Sequence, residues 1–367
     1  MSVFLFRMKG CEVVRRKSYR RILVVILALV TILETGFSIE KRNAELQEKL
    51  VSAENVSNTA VILGGMPVGI YLKTEGVFVL GTEAIENVHG TLCEPAKNIV
   101  KSGDYIIGIN GDKIESKREL LSAISKLENS QVVLTVRRDH EEIEVKLNAI
   151  EVNKNKYKLG IWVKDSVQGL GTITYLKENG EYGALGHGIY DSEGKELLEI
   201  RDGGLYNTEL LGITKGEKGA PGGIEAVILY NTNNYLGGID ENTDIGIYGE
   251  IEEIEEITTN PRMILIARKK DIKVGEATIL CTLQDTIEEY SIKIEQVDYF
   301  LRDKNKGMVI RITDERLLEK TGGIVQGMSG SPIIQDGKLV GAVTHVLVND
   351  PTRGYGIFIE NMLEAAG

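Results

Sequence analysis

From residue 61 onward the apolar positions come in short β-branched runs broken by glycine, as in Val61-Ile-Leu-Gly-Gly-Met-Pro-Val-Gly-Ile-Tyr-Leu72 and Gly76-Val-Phe-Val-Leu-Gly81. Runs of that length between turn residues predict strands. The same texture recurs in Gly171-Thr-Ile-Thr-Tyr175, Ile224-Glu-Ala-Val-Ile-Leu229 and Arg262-Met-Ile-Leu-Ile-Ala267, a spacing that predicts a sandwich or paired barrels. Helical periodicity is confined to short pieces. Ser116 to Leu127 is amphipathic, and the polar stretch from Glu40 carries Leu46 and Leu50 one turn apart, which predicts a stalk or linker helix.

The N-terminus has a different pattern. Arg15, Arg16, Lys17, Arg20 and Arg21 lead into a 12-residue apolar run from Ile22 to Leu33, with Thr31 its one polar residue. A bilayer demands about 20 residues, so a span must extend to Ile39. Signal peptide and signal anchor both fit. The missing small-x-small cleavage site favours the anchor, and the basic flank puts the N-terminus in the cytosol with the remaining domains outside it. The expected organisation is a basic cytosolic N-terminus at 1–21, a transmembrane signal anchor at 22–39, a stalk at 40–60, a compact β-rich domain at 61–151 and a second strand-rich domain at 152–367.

Composition narrows the chemistry. Hydrophobic residues make up 42% and charged residues 26%, as in a folded globular chain, and 41 Gly against 6 Pro favour many tight turns and hence strands. The net charge of −11 argues against nucleic acid as a partner. Cys11 precedes the apolar run, so Cys93 and Cys281 allow at most one disulfide beyond it. With no CxxC, no HExxH and four scattered histidines, no metal and no cofactor is expected.

The stretch Glu94-Pro-Ala-Lys-Asn-Ile-Val-Lys-Ser-Gly-Asp-Tyr-Ile-Ile-Gly-Ile-Asn-Gly-Asp-Lys-Ile114, then the helix and the strand Gln131 to Arg137, resembles the PDZ domain of bacterial proteases. Glycines 64, 65 and 69 free the backbone to turn its N–H groups toward a peptide carboxylate. The expected peptide-binding loop is therefore Gly65, Met66, Val68, Gly69 and Ile70, with the strand after it open to β-augmentation. The alternative is that these glycines only shape a hairpin.

Gly327-Met-Ser-Gly330 matches the Gly-x-Ser-Gly core of a serine protease nucleophile loop, followed by a hairpin closing at Asp336-Gly337. Ser329 is the expected nucleophile. The N–H groups of Gly327 and Ser329 are the expected oxyanion hole, each such donor contributing about 2.7–4 kcal/mol to the transition state. Ser331 is a rival that Pro332 biases to extended backbone. His187, between small residues in Gly186-His187-Gly188, is the favoured base over His345, while His89 and His140 fall in the PDZ-like region. Asp314 is either the orienting acid or a helix N-cap, with Asp191, Asp240 and Asp244 as alternatives.

The segment Gly322 to Ile357, with Gly327-Met-Ser-Gly-Ser-Pro332, Thr344-His345, Asn349-Asp350-Pro351 and Gly354-Tyr-Gly356, resembles the SpoIVB peptidase family of endospore-forming bacteria. The resemblance implies a mainly β chain: a transmembrane anchor, a PDZ domain and a chymotrypsin-like double β-barrel with Ser329, His187 and Asp314 as triad. It further implies a sporulation protease at the forespore inner membrane. Such a protease cuts itself near the stalk and then cleaves a membrane-bound regulator of an intramembrane metalloprotease, leading to activation of a late sigma factor. Competing expectations are a membrane-tethered PDZ scaffold without catalysis and an HtrA-like quality-control protease.

Overall fold

The computed structural model describes residues 59–191, 196–258, 260–284 and 286–366. Strand formation follows the side-chain alternation. In Ile287–Val297, Tyr290, Ile292 and Ile294 turn inward while Ser291 and Lys293 face water, the period of two that a half-buried strand requires.

Backbone pairing closes two rings of six strands. After β1 (Ala60–Leu63), the first ring contains β2 (Pro67–Thr82). The PDZ elements β3 (Tyr105–Ile109), α1 (Lys117–Ser125), β4 (Gln131–Arg138) and β5 (Glu141–Asn148) come next in the chain. They are followed by β6 (Ile161–Leu176), β7 (Glu181–Ala184), β8 (Ile200–Tyr206), the hairpin β9 (Thr208–Thr214) and β10 (Gly223–Ile228), β11 (Tyr235–Gly238) and β12 (Gly246–Glu250). The ring runs β2–β8–β11–β12–β7–β6 and back to β2, with the β11–β12 step made by the Gly237–Ile251 bridge. Its interior holds Val68, Ile70, Leu72, Ile173, Leu205 and Ile247.

The second ring is β13 (Gly275–Thr282), β14 (Ile287–Val297), β15 (Met308–Ile312), β18 (Asp350–Phe358), β17 (Lys338–Leu347) and β16 (Pro332–Gln335), closing back on β13, with helix α2 (Glu315–Thr321) between β15 and β16 in the chain. Its core includes Ile279, Tyr290, Ile292, Ile310, Met328 and Val343. Full closure leaves neither ring an open sheet edge.

The PDZ domain grows out of the first ring. β2 and β6 pair from Thr82 opposite Ile161 to Pro67 opposite Thr172. One end of this ribbon packs Val77 and Val79 into the PDZ core with Ile106, Leu134 and Val136. The other end packs Val68, Ile70 and Leu72 into the barrel. Register shifts at Trp162–Val163 and Lys164–Ser166 mark bulges where one region gives way to the other, as expected where a strand must bend. Glu199 fastens the junction, its carboxylate 2.5 Å from Arg137 Nη2 and its N–H donating to Tyr105 Oη.

Two expectations are corrected here. The boundary between residues 151 and 152 does not separate the regions, because β2 serves both cores. The expected peptide-binding loop is also built into the barrel. The amides of Gly64 and Gly65 already donate to Thr174 and Ile173, Met66, Val68 and Ile70 are buried in the barrel core, and Gly69 and Ile70 are paired on both sides, with β6 and with β8. A strand paired on both edges cannot accept a third. Among the described residues no helix is long and apolar enough to cross a membrane, and the expected span at 22–39 lies outside them.

Leu72→Ala should lower stability by about 2–5 kcal/mol and disable the catalytic half, read by urea unfolding and peptidase assay. A variant that lost only PDZ-ligand binding would contradict the shared strand.

Candidate active site

The first ring delivers His187 through a strained turn. β7 ends at Ala184, and Leu185 and Gly186 then take left-handed backbone, φ 68° and 71°. The N–H of Gly186 donates to the carbonyl of Ala184 at 2.8 Å, a three-residue γ-turn centred on Leu185. A non-glycine residue held there costs of order 1–3 kcal/mol, so the surroundings must impose it. Gly186 is required by contact: a Cβ would lie 2.9 Å from Ile357 Cγ2 and 3.0 Å from Thr344 Cγ2, both of the second ring. That close approach carries His187 across to the other barrel.

His187 Nδ1 lies 2.8 Å from the carbonyl of Gly188. A carbonyl only accepts, so the proton sits on Nδ1 and the Nε2 lone pair is left to act as base. Burial pushes the His187 pKa below its ordinary value, against the opposing pull of the Gly188 carbonyl. His345 packs 4.8 Å away, ring centroid to centroid. Although exposed at the rim, it is pushed down to about 4 by the buried side of its environment, with His187 and Lys306 adding positive charge. Both imidazoles are neutral at pH 7.

The second ring delivers Ser329 on the loop after α2. Gly327 and Gly330 adopt φ 100° and 96°, and a Cβ on Gly330 would fall 2.0 Å from the carbonyl oxygen of Thr172. Thr172, in β6, grips this loop: its N–H donates to the carbonyl of Ser329 at 2.9 Å and its hydroxyl to the carbonyl of Gly327 at 2.8 Å. Thr174 repeats the contact one alternation on, its hydroxyl donating to the carbonyl of Gly330. The same Thr172 accepts from the N–H of Leu185 in the histidine turn. Ser329 Oγ donates to the carbonyl of Thr344 at 2.9 Å. Among the described residues the N–H groups of Gly327 and Ser329 have no hydrogen-bond acceptor, and both residues line the cleft.

That cleft, about 600 Å³, is shared by His187, Ser329, Gly327 and His345. A neutral base, a hydroxyl and two unpaired amides around one hollow can perform acyl transfer.

The other expected residues lie elsewhere or do other work. Of the five assigned to the peptide-binding loop, Ile70 lines the cleft. Ser331 is fully buried, with its hydroxyl facing no partner. Asp314 does not reach His187. It caps α2 by accepting from the N–H of Arg316, takes a second N–H from Ser291, and pairs with the Arg316 guanidinium at 2.9 Å. Arg316, followed by these backbone donors, holds its carboxyl below the usual range, so the cap alternative describes it. The Asp244 carboxylate accepts from Tyr190, and its carbonyl takes the N–H of Gly188. Sequence reasoning missed Thr172 and Thr174. Two threonines alternating onto the inner face of an apolar strand were the available signal, but their partners lie about 155 residues away. Among the described residues no three His, Cys, Asp or Glu side chains gather as metal ligands would.

Comparison with known proteins places these elements. The SpoIVB peptidase S55 family model matches residues 155–363, and the PDZ domain model matches residues 84–149. No curated protein matches the chain. Among solved structures, the active form of the Rv3671c protease from M. tuberculosis is 12% identical over 55% of this chain and 74% of that one, with a TM-score of 0.32. An inactive form of the Rv3671c protease is 13% identical over 55% and 85%, with a TM-score of 0.29.

Thr172→Val removes one donor and leaves the Gly327 carbonyl unsatisfied in a buried site. It should lower kcat about tenfold or more with little change in KM, and Thr172→Ser should retain most of the rate. Wild-type kcat in the valine variant would contradict the clamp.

Proposed function

Because the chain belongs to the SpoIVB peptidase S55 family, and is thus a serine peptidase, we propose that Ser329 is its nucleophile and His187 its general base. The observation that carries this is that Gly327 and Ser329, whose N–H groups have no acceptor among the described residues, line the same cleft as His187. An arriving peptide draws the Ser329 hydroxyl off the Thr344 carbonyl and toward His187 Nε2. Oγ attacks the peptide carbonyl as His187 takes the proton, and the developing oxyanion is held by the two amides. His187 then protonates the leaving amine as the C–N bond breaks, and water repeats the sequence to release the acid. Here the Gly188 carbonyl, rather than a carboxylate, fixes the imidazole tautomer.

The biological reading extends the family resemblance. The chain is held in the forespore inner membrane by residues 22–39, with its folded domains in the intermembrane space. It cuts itself within the stalk at 40–60. It then cleaves a membrane-bound regulator during sporulation, triggering intramembrane proteolysis and activation of a late sigma factor. Tethering enzyme and target to one membrane raises their effective concentration, so the contacts between them need not be strong. The PDZ domain takes an extended peptide at the first half of β6, Ile161 to Ser166. That stretch pairs with β2 alone and lies beside α1, where the N–H of Lys117 donates to Asp165.

Expressed in membranes, the wild-type chain should shorten within 40–60 while Ser329→Ala stays full length, read by N-terminal sequencing and mass. Identical trimming, or none, in both forms would contradict self-processing by Ser329 and leave cleavage of a partner protein as the deciding assay. Broad cleavage of unfolded proteins would indicate a quality-control protease instead. Because burial lowers the His187 pKa, the acid limb of the kcat/KM profile should lie below the ordinary histidine value of about 6.5. A limb at or above that value would contradict a buried base.

A further inference from the structure

The cleft beside Ser329 has an aliphatic wall. Leu170, Pro221, Ile224, Ile324, Val346 and Val348 form it; the uncharged amides of Gln168 and Gln326 also line the cleft, and no Asp, Glu, Lys or Arg side chain does so among the described residues. The β9–β10 hairpin supplies Pro221 and Ile224. Its charged residues Glu209, Lys215, Glu217, Lys218 and Glu225 are all exposed to solvent and do not line the cleft.

This wall is held as firmly as the catalytic loop. Gly216 N–H donates to the carbonyl of Thr321, Gly219 N–H to that of Val348 and Ile224 N–H to that of Gln326, while Gln326 N–H returns to Gly222. The hairpin crosses from the first ring to the second and is bonded to the loop before the nucleophile and to the end of β17. A glycine is obligatory at 222, where a Cβ would lie 2.1 Å from the Thr214 carbonyl oxygen. Side chains fixed in this way select by shape and polarity.

The wall also has a defined position relative to the chemistry. Ile324 to Gln326 directly precede Gly327, whose amide faces the reacting carbonyl in the proposed mechanism. Val346 lies two residues beyond Thr344, whose carbonyl holds Ser329 Oγ. Whatever residue carries the attacked carbonyl sets its Cα one bond from that carbonyl, so its side chain is the one that meets this wall.

We propose that the apolar cleft walled by the β9–β10 hairpin selects an aliphatic residue at the position bearing the attacked carbonyl, and rejects charged ones. This rests on the Ser329 reading. A charged side chain would lose its water there and find no counter-charge. An aliphatic one would bury its methyl groups.

The test uses the chain with its PDZ domain, internally quenched peptides varied at that one position, and a fluorophosphonate that labels activated serines independently of peptide sequence. Val, Leu, Ile and Met should exceed Lys and Asp in kcat/KM by about 100-fold. Val348 is 48% exposed at the cleft mouth, so a carboxylate is tolerable there. In Val348→Asp the Leu-to-Lys ratio should fall at least tenfold through improved Lys turnover, with labelling retained to show an intact nucleophile. A wild-type enzyme that labels at Ser329 yet shows a flat profile, or prefers a charged residue, overturns the proposal and leaves the Ser329 reading standing. Failure to label at Ser329 overturns that reading and this one together.

Discussion

Three hydrogen bonds at Thr172 hold the histidine turn and the serine loop in one frame. Its N–H and hydroxyl donate to the carbonyls of Ser329 and Gly327, and its own carbonyl accepts from Leu185. The two loops belong to different barrels, and each contains left-handed backbone that would relax if isolated. A buried strand residue joined to both converts two strained loops into one site. The peptide planes that carry the free amides are held separately: the carbonyl of Gln326 accepts from Ile224 and that of Met328 from Ser331, while Gly327 and Ser329 both line the cleft.

That dependence runs along β6 into the PDZ domain. The strand bearing Thr172 begins at Ile161 in the PDZ sheet and continues without a break into the barrel. Its neighbour β2 makes the same passage in reverse. A peptide added to β6 between Ile161 and Ser166 would lie on the same strand as Gln168, Gly169 and Leu170, which line the cleft. Strand continuity, with the Arg137–Glu199 ion pair at the junction, physically joins the PDZ domain to the cleft.

Much of this was legible in the sequence because it is written locally. Short β-branched runs between glycines identified the strands, and the turn and helix signals from Glu94 to Leu127 identified the PDZ domain. The glycines around Met328 and Ser329 marked a loop with unusual backbone, and those around His187 marked a close approach. What was not legible was pairing at a distance. Gly64 to Ile70 read as a carboxylate cradle, yet the amides of Gly64 and Gly65 bond to β6, and Gly69 and Ile70 are paired on both sides, with β6 and β8. Asp314 failed for the opposite reason. An Asp ahead of a short helix satisfies a cap and a triad pattern equally well, and only the Ser291 and Arg316 contacts decide between them. Thr172 gave no catalytic signal, since its role exists only in the meeting of two barrels.

The central claim is that the two barrels together form a preorganised acyl-transfer site at Ser329. A crystal structure of the chain phosphonylated by an irreversible serine inhibitor tests it most directly. The account predicts a phosphorus bonded to Ser329 Oγ, one phosphonyl oxygen accepting from the N–H groups of Gly327 and Ser329, and His187 Nε2 within hydrogen-bond reach of the adduct. An adduct at Ser331, or a phosphonyl oxygen turned to solvent with both amides unengaged, would contradict it.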